Sequence, residues 1–362
     1  MDFELTADQE ALRSAAAELL ADHASPAAVR AFVGEDNTAE PPPFDPGLWS
    51  AMAAQGWLGV EETSAAGGLG AGLVEIAVLC EQVGRHCAPA PFLSTVLALA
   101  CLREAASQPG VSSATRSAAA HWAERLGSGE AVGCVAWAPD RPRGDGAGPE
   151  PVVDGPAADV AVVVGPGEVR MVVLDDASRP AREPAMDRTR PLGWLTATGD
   201  RIGDAAAAER ACNRLATGLS AEMLGAAGRV LDMSVAYAKD RVQFGRPIGS
   251  FQAVKHRLAN ALVDVEGMRS TVYYAAWCVA TGQPDASLAA SMAKAWCSDA
   301  SRRVMAAALQ VHGGIGFTWE HGLHVFVKRA QLDQVSGGDA PWHRDRIATI
   351  LAARLDAGEP VP

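Results

Sequence analysis

Everything after Asp204 is written in helical period. Three long stretches place apolar residues at steps of three and four, and only short glycine and proline turns separate them. The first covers about 205–239. The second opens after the Pro247–Gly249 turn, with Ser250 as candidate N-cap and Phe251, Val254, Leu258, Leu262, Val265 and Met268 as its stripe. The third spans about 285–311, and a last helix begins near Ala340 and continues to about Leu355. Such stripes are buried only against one another, so residues 204–362 read as a helical bundle. Gly218, Gly225 and Gly228 lie inside the first helix, where glycine is worse than alanine by up to about 1 kcal/mol each. Two readings explain them: close helix packing, or a flat ligand against that face.

The front of the chain, 1–129, is helical too, but more punctuated. Leu12, Ala15, Ala16, Leu19 and Leu20 form one stripe, and helices fit Leu73–Arg85, 92–107 and 113–127. EPPPFDPG at 40–47 and AAGGLGAG at 65–72 read as loops. Between 130 and 203 the texture changes. Val132–Ala136, Val160–Val164 and Val169–Leu174 are short β-prone runs, and RPRGDGAGPEPVVDGP connects the first two. The expected fold is mostly α with a small central β domain, in three segments: 1–129, 130–203 and 204–362.

The formal charge is −12, from 43 acidic and 31 basic residues, and no basic tract dominates, so nucleic acid is a poor partner. MDFELTADQE places acidic residues where an export signal carries positive ones, and no charge-free apolar run reaches membrane-spanning length. The seven cysteines are scattered and never spaced C-x-x-C, as expected of reduced thiols in a cytoplasmic protein. No histidine pair has zinc-site spacing, so no metal is expected.

Three segments stand out chemically. In RVQFGRPIGSFQAVKH, Arg241 follows a long helix, where a guanidinium can clamp a phosphate or simply face solvent. Phe244 can cover an apolar surface beside it. In ALQVHGGIGFTWEHGLHVFVKR, Gln310 precedes Gly313, Gly314 and Gly316, a spacing that opens the main chain to a ligand. It is not G-x-G-x-x-G, and no strand plainly precedes it, so a dinucleotide-fold reading fails. His312 reads as a packing histidine. In QVSGGDAPWHRDRIA, Asp339 can cap the helix that follows, or serve as a base.

These segments, in this order, resemble the acyl-CoA dehydrogenase family. YAKDRVQFGRPIGSFQAVKHRLA is similar to one C-terminal signature of that family and ALQVHGGIGFTWEHGLHVFVKR to another. The opening MDFELTADQEALRSAAAELL and QGWLGVEETSAAGGLGAG fit its first helices. The resemblance implies an N-terminal helical domain, a β-barrel-like central domain and a C-terminal four-helix bundle. It also implies FAD as cofactor, an acyl-CoA substrate, and an electron acceptor such as an electron-transfer flavoprotein. By similarity, Arg241, Gln243, Phe244, Gln310, Gly313 and Gly314 serve the FAD of a neighbouring subunit, so an oligomer is expected.

The family reaction takes the α proton with a carboxylate and moves the β hydrogen to flavin as hydride. This sequence departs from that pattern. Gly338 occupies the place of the usual glutamate in the turn before the last helix, and Leu215 the alternative base position on the long helix. Asp339, one residue on, and Glu222, seven residues beyond Leu215, are the remaining candidates. The family's T-E-P-x-x-G-S-D and W-I-T-N segments have no counterpart in 130–203. The expectation is a heterotetramer with a homologous, base-bearing subunit, as in the breakdown of steroid side chains. The alternatives are a homo-oligomer that uses Asp339, or an inactive half-site subunit.

Overall fold

The computed structural model of the chain describes residues 4–34, 40–62, 68–138, 150–196 and 198–361. The loop read at 65–72 and the connection after 138 therefore lie partly outside the described residues. Packing groups the chain into two compact units: Leu19–Ile76 with Pro89–Leu215, and Met1–Glu18 with Ala77–Ala88 and Ala216–Pro362.

The first of these carries the sheet. Its early helices are α2 (Pro26–Val33) and α3 (Pro46–Ala54), capped by Ser25 and Asp45, each with proline at the helix start. The Asp45 carboxylate accepts the Leu48 N–H at 3.0 Å. The segment 40–47 is thus a loop that ends in a helix signal, because proline at the first helical position lacks only an N–H that would be unpaired anyway. Next come α5 (Phe92–Ser107) and α6 (Ser113–Gly127), the latter capped by Ser112.

Among the described residues six strands follow: β1 (Gly133–Trp137), β2 (Glu150–Val153), β3 (Val160–Gly165), β4 (Glu168–Val173), β5 (Leu192–Leu195) and β6 (Asp200–Asp204). Four form a sheet in the order β1-β3-β4-β6, with β1 and β3 parallel from Gly133 opposite Val160 and the other pairs antiparallel. Strands β2 and β5 make a separate antiparallel ladder. Val160, Val162 and Val164 alternate into a core with Leu99, Leu102 and Leu126, the two-residue period that lets one sheet face bury against helices.

The second unit is helical. It takes in the start of α1 (Ala7–His23), most of α4 (Leu73–His86) and α7 (Ala205–Asp240) from Ala216 on. After α7 come α8 (Gln252–Ala280), α9 (Ala286–His312), α10 (Leu323–Val335) and α11 (Ala340–Asp356). Helix α8 starts without a side-chain cap at Phe251, and the expected cap, Ser250, ends a short 3-10 turn instead. Small residues line the α8–α9 contact: Ala275, Cys278, Ala289 and Ala293 are all buried.

Helices α4 and α7 meet at backbone distance. A Cβ on Gly84 would fall on the Glu222 carbonyl, and one on Gly225 on the Glu81 carbonyl. Close packing therefore accounts for Gly225. All seven cysteines are free thiols.

Candidate functional site

Helix α7 hands over to the Arg241 segment without a break. The Arg241 N–H still donates to Tyr237 O at 2.9 Å, and the Ile248 N–H returns to Arg241 O at 2.8 Å. Between them, β7 (Val242–Gln243) pairs with β8 (Arg246–Pro247) around a two-residue turn. Phe244 and Gly245 have φ of 54° and 76°, the left-handed pair that matches a tight hairpin to strand twist. For phenylalanine that conformation costs about 1–2 kcal/mol. Phe244 is nevertheless 93% exposed. Its ring meets Phe251 edge-on at 6.1 Å, and the Arg246 guanidinium covers the same Phe251 ring at 4.2 Å. Arg241 and Gln243 are exposed as well, and Arg241 has no carboxylate partner among the described residues.

The second segment is equally open. Helix α9 ends at His312, and Gly313, with φ of 64°, turns the chain while its N–H donates to Leu309 O. Gln310, Gly313 and Gly314 are exposed, and a Cβ on either glycine would meet nothing within 4 Å. Ile315 and Phe317 also point outward. His312 is buried, with Nδ1 2.9 Å from Ala308 O, and its ring stacks on Tyr237 at 4.6 Å. It packs as the sequence suggested. The same stack brings together two segments far apart in the chain.

An exposed guanidinium on one segment and main chain free of side chains on the other, carried by helices whose last turns touch at Tyr237 and His312, suit the phosphates of a nucleotide cofactor. The residues present therefore fit the diphosphate part of FAD.

The turn before α11 is built differently. Gly337 and Gly338 have φ of 64° and 93°. Lys294, fully buried, donates from Nζ to Gly338 O at 2.8 Å and Gln334 O at 3.0 Å. His343 Nε2 lies 3.0 Å from Gly337 O. Asp339 caps α11, its carboxylate accepting the Trp342 N–H at 3.0 Å. A Cβ on Gly338 would come within 2.7 Å of the Trp342 ring and 3.1 Å of His343 Nε2. Glu222 is also accounted for: it is wholly buried on α7, 3.8 Å from the equally buried Arg329 guanidinium on α10. The Glu222 carboxylate is thus shut from solvent and faces a cation on the neighbouring helix. Leu215 is an apolar core residue.

Sequence reasoning missed Tyr237, Lys294 and Arg329. A lysine and an arginine inside apolar helical stripes were the available signal, since neither is buried without partners.

The C-terminal domain of acyl-CoA dehydrogenases matches residues 205–352, and the N-terminal domain matches residues 6–130. The chain belongs to the acyl-CoA dehydrogenase family. Among relatives, it is 36% identical over 333 residues to acyl-CoA dehydrogenase IpdE2 of Mycolicibacterium smegmatis, covering 90% of this chain and 93% of that one. Among solved structures, it is similar to the ChsE4-ChsE5 complex from Mycobacterium tuberculosis, with TM-score 0.83 and 27% identity, covering 97% of this chain and 99% of that one. It is also similar to the Tcur3481-Tcur3483 steroid ACAD G363A variant, with TM-score 0.81 and 26% identity, covering 96% of this chain and 99% of that one. Neither matched domain includes residues 131–204. Among the described residues no acidic, histidine and cysteine cluster suits a metal, and no helix is long and apolar enough to cross a membrane.

Proposed function

We propose that this chain is one subunit of a mixed acyl-CoA dehydrogenase assembly. It supplies half of an FAD site to a homologous neighbour, and that neighbour supplies the catalytic base. The observation that carries the reading is a contrast. Arg241 and the Gly313–Gly314 main chain are open and uncompensated, while the turn at Gly337–Asp339 offers no carboxylate free of other work.

In this reading FAD, when bound, accepts the hydride from Cβ of the thioester. Arg241 would neutralise a phosphate, the side-chain-free main chain at Gly313 and Gly314 would let the diphosphate approach closely, and Gln243 and Phe244 would lie along the cofactor. Asp339 remains a helix cap. The α proton is weakly acidic, so its removal needs a positioned base beside the polarised carbonyl. That base belongs to the partner. The similar structures whose names give two chains, ChsE4-ChsE5 and Tcur3481-Tcur3483, favour a heteromer, and the word steroid in the second favours a bulky, ring-bearing acyl-CoA. Electrons then leave to a soluble acceptor such as an electron-transfer flavoprotein, in the cytoplasm.

The test is anaerobic mixing with a panel of acyl-CoA thioesters, with and without a co-expressed homologue, while oxidised flavin absorbance is followed. Bleaching is expected only with the partner. Rapid bleaching by the lone chain would overturn the missing-base reading. An assembly that holds no flavin, even with FAD added, would overturn the flavoprotein reading.

A further inference from the structure

The Tyr237 and His312 rings lie 4.6 Å apart with their planes inclined by 23°. Each ring sits in the last turn of the helix that leads into one of the two exposed segments. Tyr237 accepts the Arg241 N–H through its own carbonyl, so the hairpin hangs from the residue that stacks. His312 directly precedes Gly313. The histidine is only 4% exposed, and Ala308 O holds its Nδ1 at 2.9 Å, which fixes the ring plane. Among the described residues its Nε2 has no hydrogen-bond partner. The His321 ring, 4.7 Å away, extends the group toward α10. Thus His312 acts through its faces more than through its second nitrogen.

Nothing else polar does this job directly. Among the described residues, no hydrogen bond or ion pair joins the hairpin at 241–247 to the glycine turn at 313–317. A diphosphate that must meet Arg241 on one segment and the open glycine main chain on the other needs a fixed spacing between them. Without a brace, ordering two open segments would be charged against binding.

We infer that Tyr237 and His312 are positioning residues which lock the two halves of the nucleotide-diphosphate site into register. The inference rests on the half-site reading proposed above. Its ligand is the diphosphate end of the flavin cofactor, and neither ring needs to touch it.

The test uses the assembly formed with the co-expressed homologue, and compares Tyr237→Phe, which keeps the stack, with Tyr237→Leu, which removes it. Two readouts are taken: the FAD dissociation constant from flavin fluorescence, and hydrogen exchange of the amides from Arg241 to Ile248. Tyr237→Leu should raise the dissociation constant about tenfold and speed exchange in the hairpin, whereas Tyr237→Phe should stay within about twofold. If Tyr237→Leu fails to fold, His312→Phe and His312→Leu form the equivalent pair. Arg241→Ala separates the two ideas. Weaker FAD binding in Arg241→Ala but not in folded Tyr237→Leu would overturn the positioning role alone. Unchanged FAD binding in both would overturn the half-site beneath it. Equal weakening by Tyr237→Phe and Tyr237→Leu would also overturn the inference, since the stack would then not be the cause.

Discussion

The ammonium of Lys294 on α9 lies 2.8 Å from the carbonyl oxygen of Gly338, and Lys294 has no solvent exposure. One buried charge thus fastens the turn where a dehydrogenase of this family usually carries its base. The turn is not a vacancy waiting for a carboxylate. Its carbonyls are held by Lys294 and His343, and its next residue caps a helix.

Restoring a glutamate should therefore fail. Gly338→Glu forces a side chain into a left-handed backbone with φ of 93° and against the Trp342 ring at 2.7 Å. The strain should lower stability by about 1–3 kcal/mol, with no dehydrogenation gained by the lone chain. Thermal unfolding and anaerobic flavin bleaching measure the two effects. A stable variant that bleaches with acyl-CoA would show that the position is open after all.

Asp339 can be tested by two substitutions that separate capping from proton transfer. Asparagine caps nearly as well as aspartate, while alanine does not, so Asp339→Asn should keep stability and Asp339→Ala should lose about 1 kcal/mol. Turnover by the mixed assembly should survive Asp339→Asn within about twofold, because amide and carboxylate both accept the Trp342 N–H. A collapse of turnover in stable Asp339→Asn would make Asp339 the base.

Glu222→Gln removes the carboxylate that faces the buried Arg329 guanidinium at 3.8 Å. Breaking a buried pair in this way costs about 3–5 kcal/mol, and urea unfolding of the assembly should register it. Full stability with lost turnover would be the reverse pattern, and would point to chemistry at Glu222.

Stability should also fall in mild acid through His343. Burial, helped by the nearby Lys294 charge, pushes this histidine from 6.5 down to about 3. Between those values the unfolded chain takes up a proton that the native chain refuses. The contribution is therefore complete above about pH 6.5 and is lost as pH falls toward 3, at up to about 1.4 kcal/mol per pH unit. Urea midpoints between pH 7.5 and 5 should show a shallower slope in His343→Gln than in the natural chain. Equal slopes would remove His343 from the account.

The long helices were legible because their stripes repeat over many turns, and α5 and α6 fall where the apolar pattern predicts. The strands β2, β5 and β6 were not. Each has four or five residues, and LGWL or DRIGD carries no alternation that outweighs its glycine. Helix α10 was also missed as an element, because LHVFVKRAQLDQV lies among motif residues and ends in buried Asp333 and the Lys294 contact. At the candidate site, Arg241 and Gln310 could be picked out by type, and only family resemblance leads one to expect them on one surface. The Tyr237–His312 stack, which joins the last turns of the helices leading into these segments, is a tertiary contact that no local spacing encodes.

The α4–α7 crossing is reciprocal, each helix offering a glycine to a carbonyl of the other. Where these glycines meet the facing carbonyls, the approach of the two axes is therefore limited by main-chain atoms. A single methyl group at position 84 or 225 cannot be absorbed by trimming neighbours. A relative that carries a larger residue at either position must hold its two helices further apart, and the burial of the carboxylate at position 222 would change with them.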